Sequence, residues 1–206
     1  MLRKIASSLP AIALALLILI ISFLRSAKID HAFTGSVNQT PATAEPKIDY
    51  NLPYPGSVLP DSPLWPVKAL RDKLWLLVTT SDTKKAELLL LLADKRLASS
   101  KILFQKGKAG IAFSTFTKAE KYLQLSANQI ERGWKKGADE KSLTYKIVLA
   151  ALKHREVADE LVAIAPEDAR AGIIKDMAYS QDIYIKCRDL LTSHGFSAPE
   201  NPFNKE

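Results

Sequence analysis

Three successive stretches of this chain place their inward-type side chains at alternating steps of three and four residues, and few folds accept that cadence. Phe113, Phe116, Glu120, Leu123, Ala127, Ile130 and Trp134 follow it first, then Leu143, Ile147, Ala150, His154, Val157, Leu161 and Ile164, then Ile173, Met177, Ser180, Tyr184, Cys187 and Leu191. A helix turns once every ~3.6 residues, so each set lies along one side of one helix. Long helices sharing such a seam pack as a left-handed, roughly antiparallel bundle with coiled-coil-like contacts. Short connections at Gly107 to Gly110 and Gly137 to Asp139 require neighbours to pack on each other.

A further helix is expected from Asp82, capped by Ser81 or Asp82 itself, to about Lys106, with Gly107 as its stop. Its five consecutive leucines, Leu88 to Leu92, go round more than a full turn and must be covered on several sides. A membrane span there is excluded by Lys84, Lys85 and Glu87 on one flank and Asp94, Lys95 and Arg96 on the other.

The bundle is entered through Leu59-Pro60-Asp61-Ser62-Pro63-Leu64-Trp65-Pro66-Val67-Lys68. Ser62 is a good N-cap and Pro63 suits the first helical position, which predicts a helix over about 63–78. Pro66 then falls near the fourth position, where its missing N–H breaks no internal bond, and Asp61 sets negative charge beside the positive helix end. Leu64, Val67, Leu70, Leu74 and Leu77 or Val78 share one face, the side expected to pack, and Trp65 and Trp75 flank it. Asp61, Ser62, Pro63 and Pro66 therefore read as a structural helix start, with a docking motif as the other possibility.

This opening resembles that of a bacterial domain family of unknown function, in which a similar Pro-x-Ser-Pro-aromatic-Pro-x-Lys signature leads into a helical bundle. The likeness continues through Lys85-Ala86-Glu87-Leu88 and Asp94-Lys95-Arg96-Leu97. It implies an extracytoplasmic, membrane-tethered domain, in some members related to sigma-factor regulation, and it implies no catalytic residues.

Ile5 to Leu24 carry no charge, and twenty residues rising ~1.5 Å each make a helix of about 30 Å, the thickness of a bilayer core. Arg3 and Lys4 precede this segment, while Arg25 and Lys28 after it are partly offset by Asp30, which orients the N-terminus to the cytoplasm and the folded part outside. Cutting after Ala27 or Ser26 would put Arg25 or Leu24 where a signal peptidase needs a small residue. A signal-anchor in the cell membrane is accordingly expected, with a cleaved, secreted form as the alternative. The all-α layout is then an N-terminal transmembrane anchor over 1–28, a Pro/Thr-rich flexible linker over 29–58, a five-helix bundle over 59–196 and a loose tail over 197–206.

The net charge of +7 includes Arg3, Lys4, Arg25 and Lys28 beside the apolar segment, leaving +3 elsewhere, a weak case for a nucleic-acid partner. A single cysteine, Cys187, rules out an intramolecular disulfide, and on its apolar stripe it reads as a small buried hydrophobe. His31, His154 and His194 are scattered. His154 has carboxylates two, five and six residues on, at Glu156, Asp159 and Glu160, a spacing that does not gather them on one helix face as a metal site needs. It reads as packed or hydrogen-bonded across helices, and Glu120 as lying at the bundle's edge. No metal and no cofactor is expected. Trp134, with Lys135 and Lys136, forms an aromatic-basic cluster able to touch an anionic surface or polymer, and Trp65 is a second interaction candidate. Together these features predict a non-catalytic, membrane-anchored interaction or sensing module facing a protein or envelope-polymer partner. The alternatives are an envelope enzyme built on dispersed polar residues such as Glu120 and His154, or a binder of anionic polymer or nucleic acid.

Overall fold

The helix ends fix how the long helices fold back. A computed structural model describes residues 47–203. Among these there are five helices and no strands: α1 (Trp65–Val78), α2 (Asp82–Gln105), α3 (Ala109–Lys135), α4 (Lys141–Ile164) and α5 (Glu167–Ser193). Gly107 ends α2 with φ +71°, a left-handed conformation that costs glycine little, and lets the Lys108 N–H reach back to the Leu103 carbonyl at 2.9 Å. The same closure recurs after α3, from Ala138 to Gly133, and after α5, from Phe196 to Leu191.

Side-chain pairs set the order of the helices. Ser126 on α3 bonds the Ala86 carbonyl on α2 at 2.8 Å, late against early, so these two run antiparallel. Thr117 to Asp176 (2.6 Å) and Lys186 to Asn128 (2.7 Å) hold α3 and α5 side by side in the same direction. Asp94 with His154, and Lys101 with Glu160, do the same for α2 and α4. The body is thus two antiparallel hairpins, α2/α3 and α4/α5, stacked so that chain-adjacent helices alternate in direction while the stacked pairs run parallel.

Each expected stripe on α3, α4 and α5 lines the core: Phe116, Leu123, Ile130, Ile147, Leu161, Ile173, Cys187 and Leu191 are all fully buried. Leu88, Leu89, Leu90 and Leu92 are buried too, covered from several sides as the leucine run requires. The apolar interior falls into two clusters. One holds Leu90, Leu123, Ile130, Ile147 and Ile183, and the other Leu97, Phe116, Leu161, Ile173 and Met177. At the levels between them stand the buried polar residues Asp94, Glu120, His154 and Ser180, one from each of α2 to α5.

Several expectations are corrected. α1 begins at Trp65 rather than Pro63: the Ser62 side chain accepts from the Leu64 N–H at 3.3 Å, closing a turn ahead of the helix, and Pro66 is its second residue. Ser62 is therefore not the N-cap, a place taken by Leu64, and Asp61, expected beside the helix end, pairs with Lys108 at 2.7 Å and Lys106 at 3.8 Å, tying the entry to the α2/α3 corner. The apolar face of α1 is turned outward, with Leu70 46%, Leu74 52%, Leu64 61%, Val67 68% and Leu77 76% exposed, while Asp72 is 2% exposed on the inner side. Trp65, Lys68 and Asp72, at helical spacing, lie on the side that meets α2. A stripe identifies a face without saying what covers it, and here the neighbouring helix covers the opposite one.

Residues 47–58, expected within the linker, are a strap packed along the bundle: Ile48 joins the core, and Tyr50 and Leu52 pack against it. Residues 197–203, expected to be loose, also pack, with Ala198 and Phe203 on the core and the Tyr184 hydroxyl donating to the Pro199 carbonyl at 2.9 Å. Glu120 is fully buried rather than at the bundle's edge. The expected anchor over 1–28, the rest of the linker and His31 lie outside the described residues. Among those described, no helix is long and apolar enough to cross a membrane.

Candidate functional site

The polar layer grows from ordinary helical register. Asp94 continues the inner side of α2 that includes Leu90 and Leu97, Glu120 sits between Phe116 and Leu123 on α3, and His154 between Ala150 and Val157 on α4. Side by side, the helices bring the three together. His154 Nδ1 is 2.7 Å from Glu120 Oε1, and its Nε2 is 3.2 Å from Asp94 Oδ1. The strap completes the group, for the Tyr50 hydroxyl donates to Asp94 Oδ2 at 2.6 Å. Next to it the Ile48 N–H donates to Glu156 Oε2 at 2.7 Å, and Lys153 pairs with the other oxygen of that carboxylate at 2.6 Å.

Burial opposes charge on His154, yet Glu120 and Asp94 on either side outweigh it and hold the imidazole up at about 9. A doubly protonated ring then donates from both nitrogens, one to each carboxylate. Tyr50 is pushed well above the ordinary phenol range by burial and by the Asp94 charge it faces, so its hydroxyl remains a donor. Glu120 Oε2 is buried without a hydrogen-bond partner. The layer can therefore store a proton and align four segments, but His154 and Glu120 are both 0% exposed. Among the described residues, no cluster of three or more histidine, cysteine, aspartate or glutamate side chains has the placement to hold a metal ion.

The open grooves lie elsewhere. One runs between α1 and α2, lined by Trp65, Lys68, Asp72, Trp75, Leu92 and Arg96. Lys68 donates to the Pro55 and Val58 carbonyls, each at 2.8 Å, and so fastens the strap to α1. Arg96 is buried, its guanidinium 4.4 Å from the Tyr122 ring centre and 5.6 Å from that of Trp65. Trp65, an interaction candidate from sequence, thus lies half-buried between the Lys68 and Arg96 cations.

Trp134 is turned inward. Its ring stacks on His194 at 3.9 Å and its Nε1 donates to Thr144 at 2.9 Å, which joins α3, α4 and the end of α5. Lys135 pairs with Glu131 at 2.5 Å and Lys136 with Asp82. Cys187 is sealed in the core, where burial pushes its thiol up to about 12. Sequence reasoning missed Tyr50, Asp72 and Asp94 as partners. Asp94 was legible from its place on the leucine face, whereas Tyr50 sits in a segment with no period.

A polar layer across a helical core, a strap bonded into it and one helix laid on its flank with the apolar side outward define an all-α bundle domain. The chain belongs to the DUF5667 family, a domain of unknown function, whose model matches residues 57–168. The match takes in α1 to α4 and the opening of α5, and with them Asp94, Glu120 and His154. No curated protein and no solved structure matches the chain.

Proposed function

We propose that this chain is a membrane-anchored, extracytoplasmic helical module that acts by binding rather than by catalysis, as an interaction or sensing element of the cell envelope. The observation that carries this reading is the division between a closed interior and a displayed surface. The groups best suited to proton chemistry, His154 and Glu120, are sealed inside, whereas the outer face of α1 presents leucines, valines and Trp75 to its surroundings. The uncharged segment Ile5 to Leu24 supports the anchor, and the charges on its two sides support an outward-facing body.

The test is topology in intact cells. A Lys175→Cys variant gives an exposed thiol on α5, while native Cys187 stays silent because it is buried. A membrane-impermeant maleimide is expected to label the variant on whole cells, and alkaline carbonate is expected to leave the chain with the membranes. Labelling only after lysis, or release into the carbonate supernatant, would overturn the placement. Robust turnover by the purified chain would overturn the non-catalytic part.

A further inference from the structure

We infer that the outward face of α1 is a membrane-surface helix, lying in the headgroup region of the same bilayer that holds the chain and preferring anionic lipid. The inference rests on the anchored placement proposed above and adds to it a second contact, made by the folded body.

Length, pattern and charge each favour a bilayer over other occupants. Fourteen residues at ~1.5 Å each make a helix of about 21 Å, too short to cross a bilayer and suited to lie along it. Its outer side repeats Leu64, Val67, Leu70, Leu74 and Leu77 at steps of three and four, with Trp75 half-exposed beside them. An apolar stripe with tryptophan at its border and cations along its flanks is the pattern of helices that bury one side at the level of the lipid headgroups. The cations are present. Arg71 and Lys73 are exposed on α1, and Lys95 on α2 lines the groove beneath it. Lys118 on α3 stands within reach of the Arg96 and Lys73 charges. The acidic residue of α1, Asp72, is turned away from the surface and bonded by Arg71 at 2.7 Å.

Chain length supplies the remaining support. Arg25 to Pro46 is 22 residues, a length of chain that reaches no more than ~80 Å at full extension. α1 is the first helix after the strap. Tethering makes its contact with the bilayer intramolecular, at an effective concentration far above that of a free domain, so a modest apolar face suffices.

The test uses the full-length chain in vesicles of phosphatidylcholine with and without phosphatidylglycerol. An environment-sensitive fluorophore is placed at Leu74→Cys or, as the control, at Lys175→Cys. The label at 74 is expected to lose most of its emission to brominated acyl chains and to be shielded from aqueous iodide. The label at 175 is expected to behave in the opposite way. Arg71→Glu with Lys73→Glu is expected to reduce the quenching at 74 in the anionic vesicles, with circular dichroism confirming an unchanged helix content. Iodide access at 74 in a chain that resists carbonate extraction would overturn the surface contact while leaving the anchor standing. Shielding at 74 without quenching by bromine would overturn it in favour of a protein occupant, and disulfide cross-linking between two Leu74→Cys chains would identify that occupant as a second copy. Extraction by carbonate would remove the anchor and this inference together.

Discussion

Raising the pH should weaken the fold through His154. The imidazole titrates at about 9 in the folded chain against 6.5 when unfolded. A raised folded value means the native state holds the proton more tightly. The stabilisation is therefore fully present below about pH 6.5, declines above it and is gone once the pH passes about 9. At ~1.4 kcal/mol per pH unit, that window amounts to about 3 kcal/mol. This is a large share of the ~5–15 kcal/mol that typically separates folded from unfolded chains. Urea unfolding of the full chain in mild detergent, followed by far-UV circular dichroism at several pH values between 6 and 9.5, reads it directly. His154→Gln leaves Glu120 and Asp94 buried without their cation, and is expected to lower stability by ~3–5 kcal/mol at pH 6 and to flatten the slope across the window. Should that variant not fold, Glu120→Gln provides the same information, because losing one flanking charge lowers the folded value of His154 and narrows the window. Equal pH dependence in the native chain and in Glu120→Gln would refute the assignment of the proton to this layer.

Three other outcomes are expected. Gly172→Ala would set a methyl group 2.6 Å from the tip of the Phe113 ring, so the ring or the helix must shift; a loss of ~1–3 kcal/mol in thermal unfolding is expected, and an unchanged midpoint would contradict the close packing. Lys68→Met frees the Pro55 and Val58 carbonyls, so hydrogen exchange should accelerate over residues 47–58 and stability fall by ~1–2 kcal/mol, with unaltered exchange counting against the strap. Cys187 should resist maleimide in the native chain and react in urea, and rapid native labelling would contradict its burial.

The bundle was legible because its signal is periodic. α3, α4 and α5 carry the same inner cadence from end to end, and Gly107 and Gly137 mark the turns between helices. His154 is legible as a polar residue on an inward stripe, whereas Glu120, on the α3 stripe but expected at the bundle's edge, is buried against it once α2, α3 and α4 lie side by side. Three features escaped. The stripe on α1 was read as inward because apolar faces usually are, but Lys68 and Asp72 on its other side are the residues that engage the strap and α2. Ile48 and Tyr50 carry no period, since an extended strap satisfies its backbone one contact at a time, so composition made them look like linker. Ala198, Pro199 and Phe203 gave no warning either: a tail held by a few isolated contacts leaves no pattern in sequence.

α1 meets α2 with the side bearing Trp65, Lys68 and Asp72 and shows its leucines to the surroundings. Thermal unfolding of the full chain in detergent, comparing Leu70→Asp combined with Leu74→Asp against Leu97→Asp in the core, decides whether this orientation holds. An outward face predicts a change in stability within ~0.5 kcal/mol for the α1 pair, whereas the core carboxylate should cost several kcal/mol or prevent folding. A loss from the α1 pair as large as that from Leu97→Asp would place the stripe inside the bundle instead.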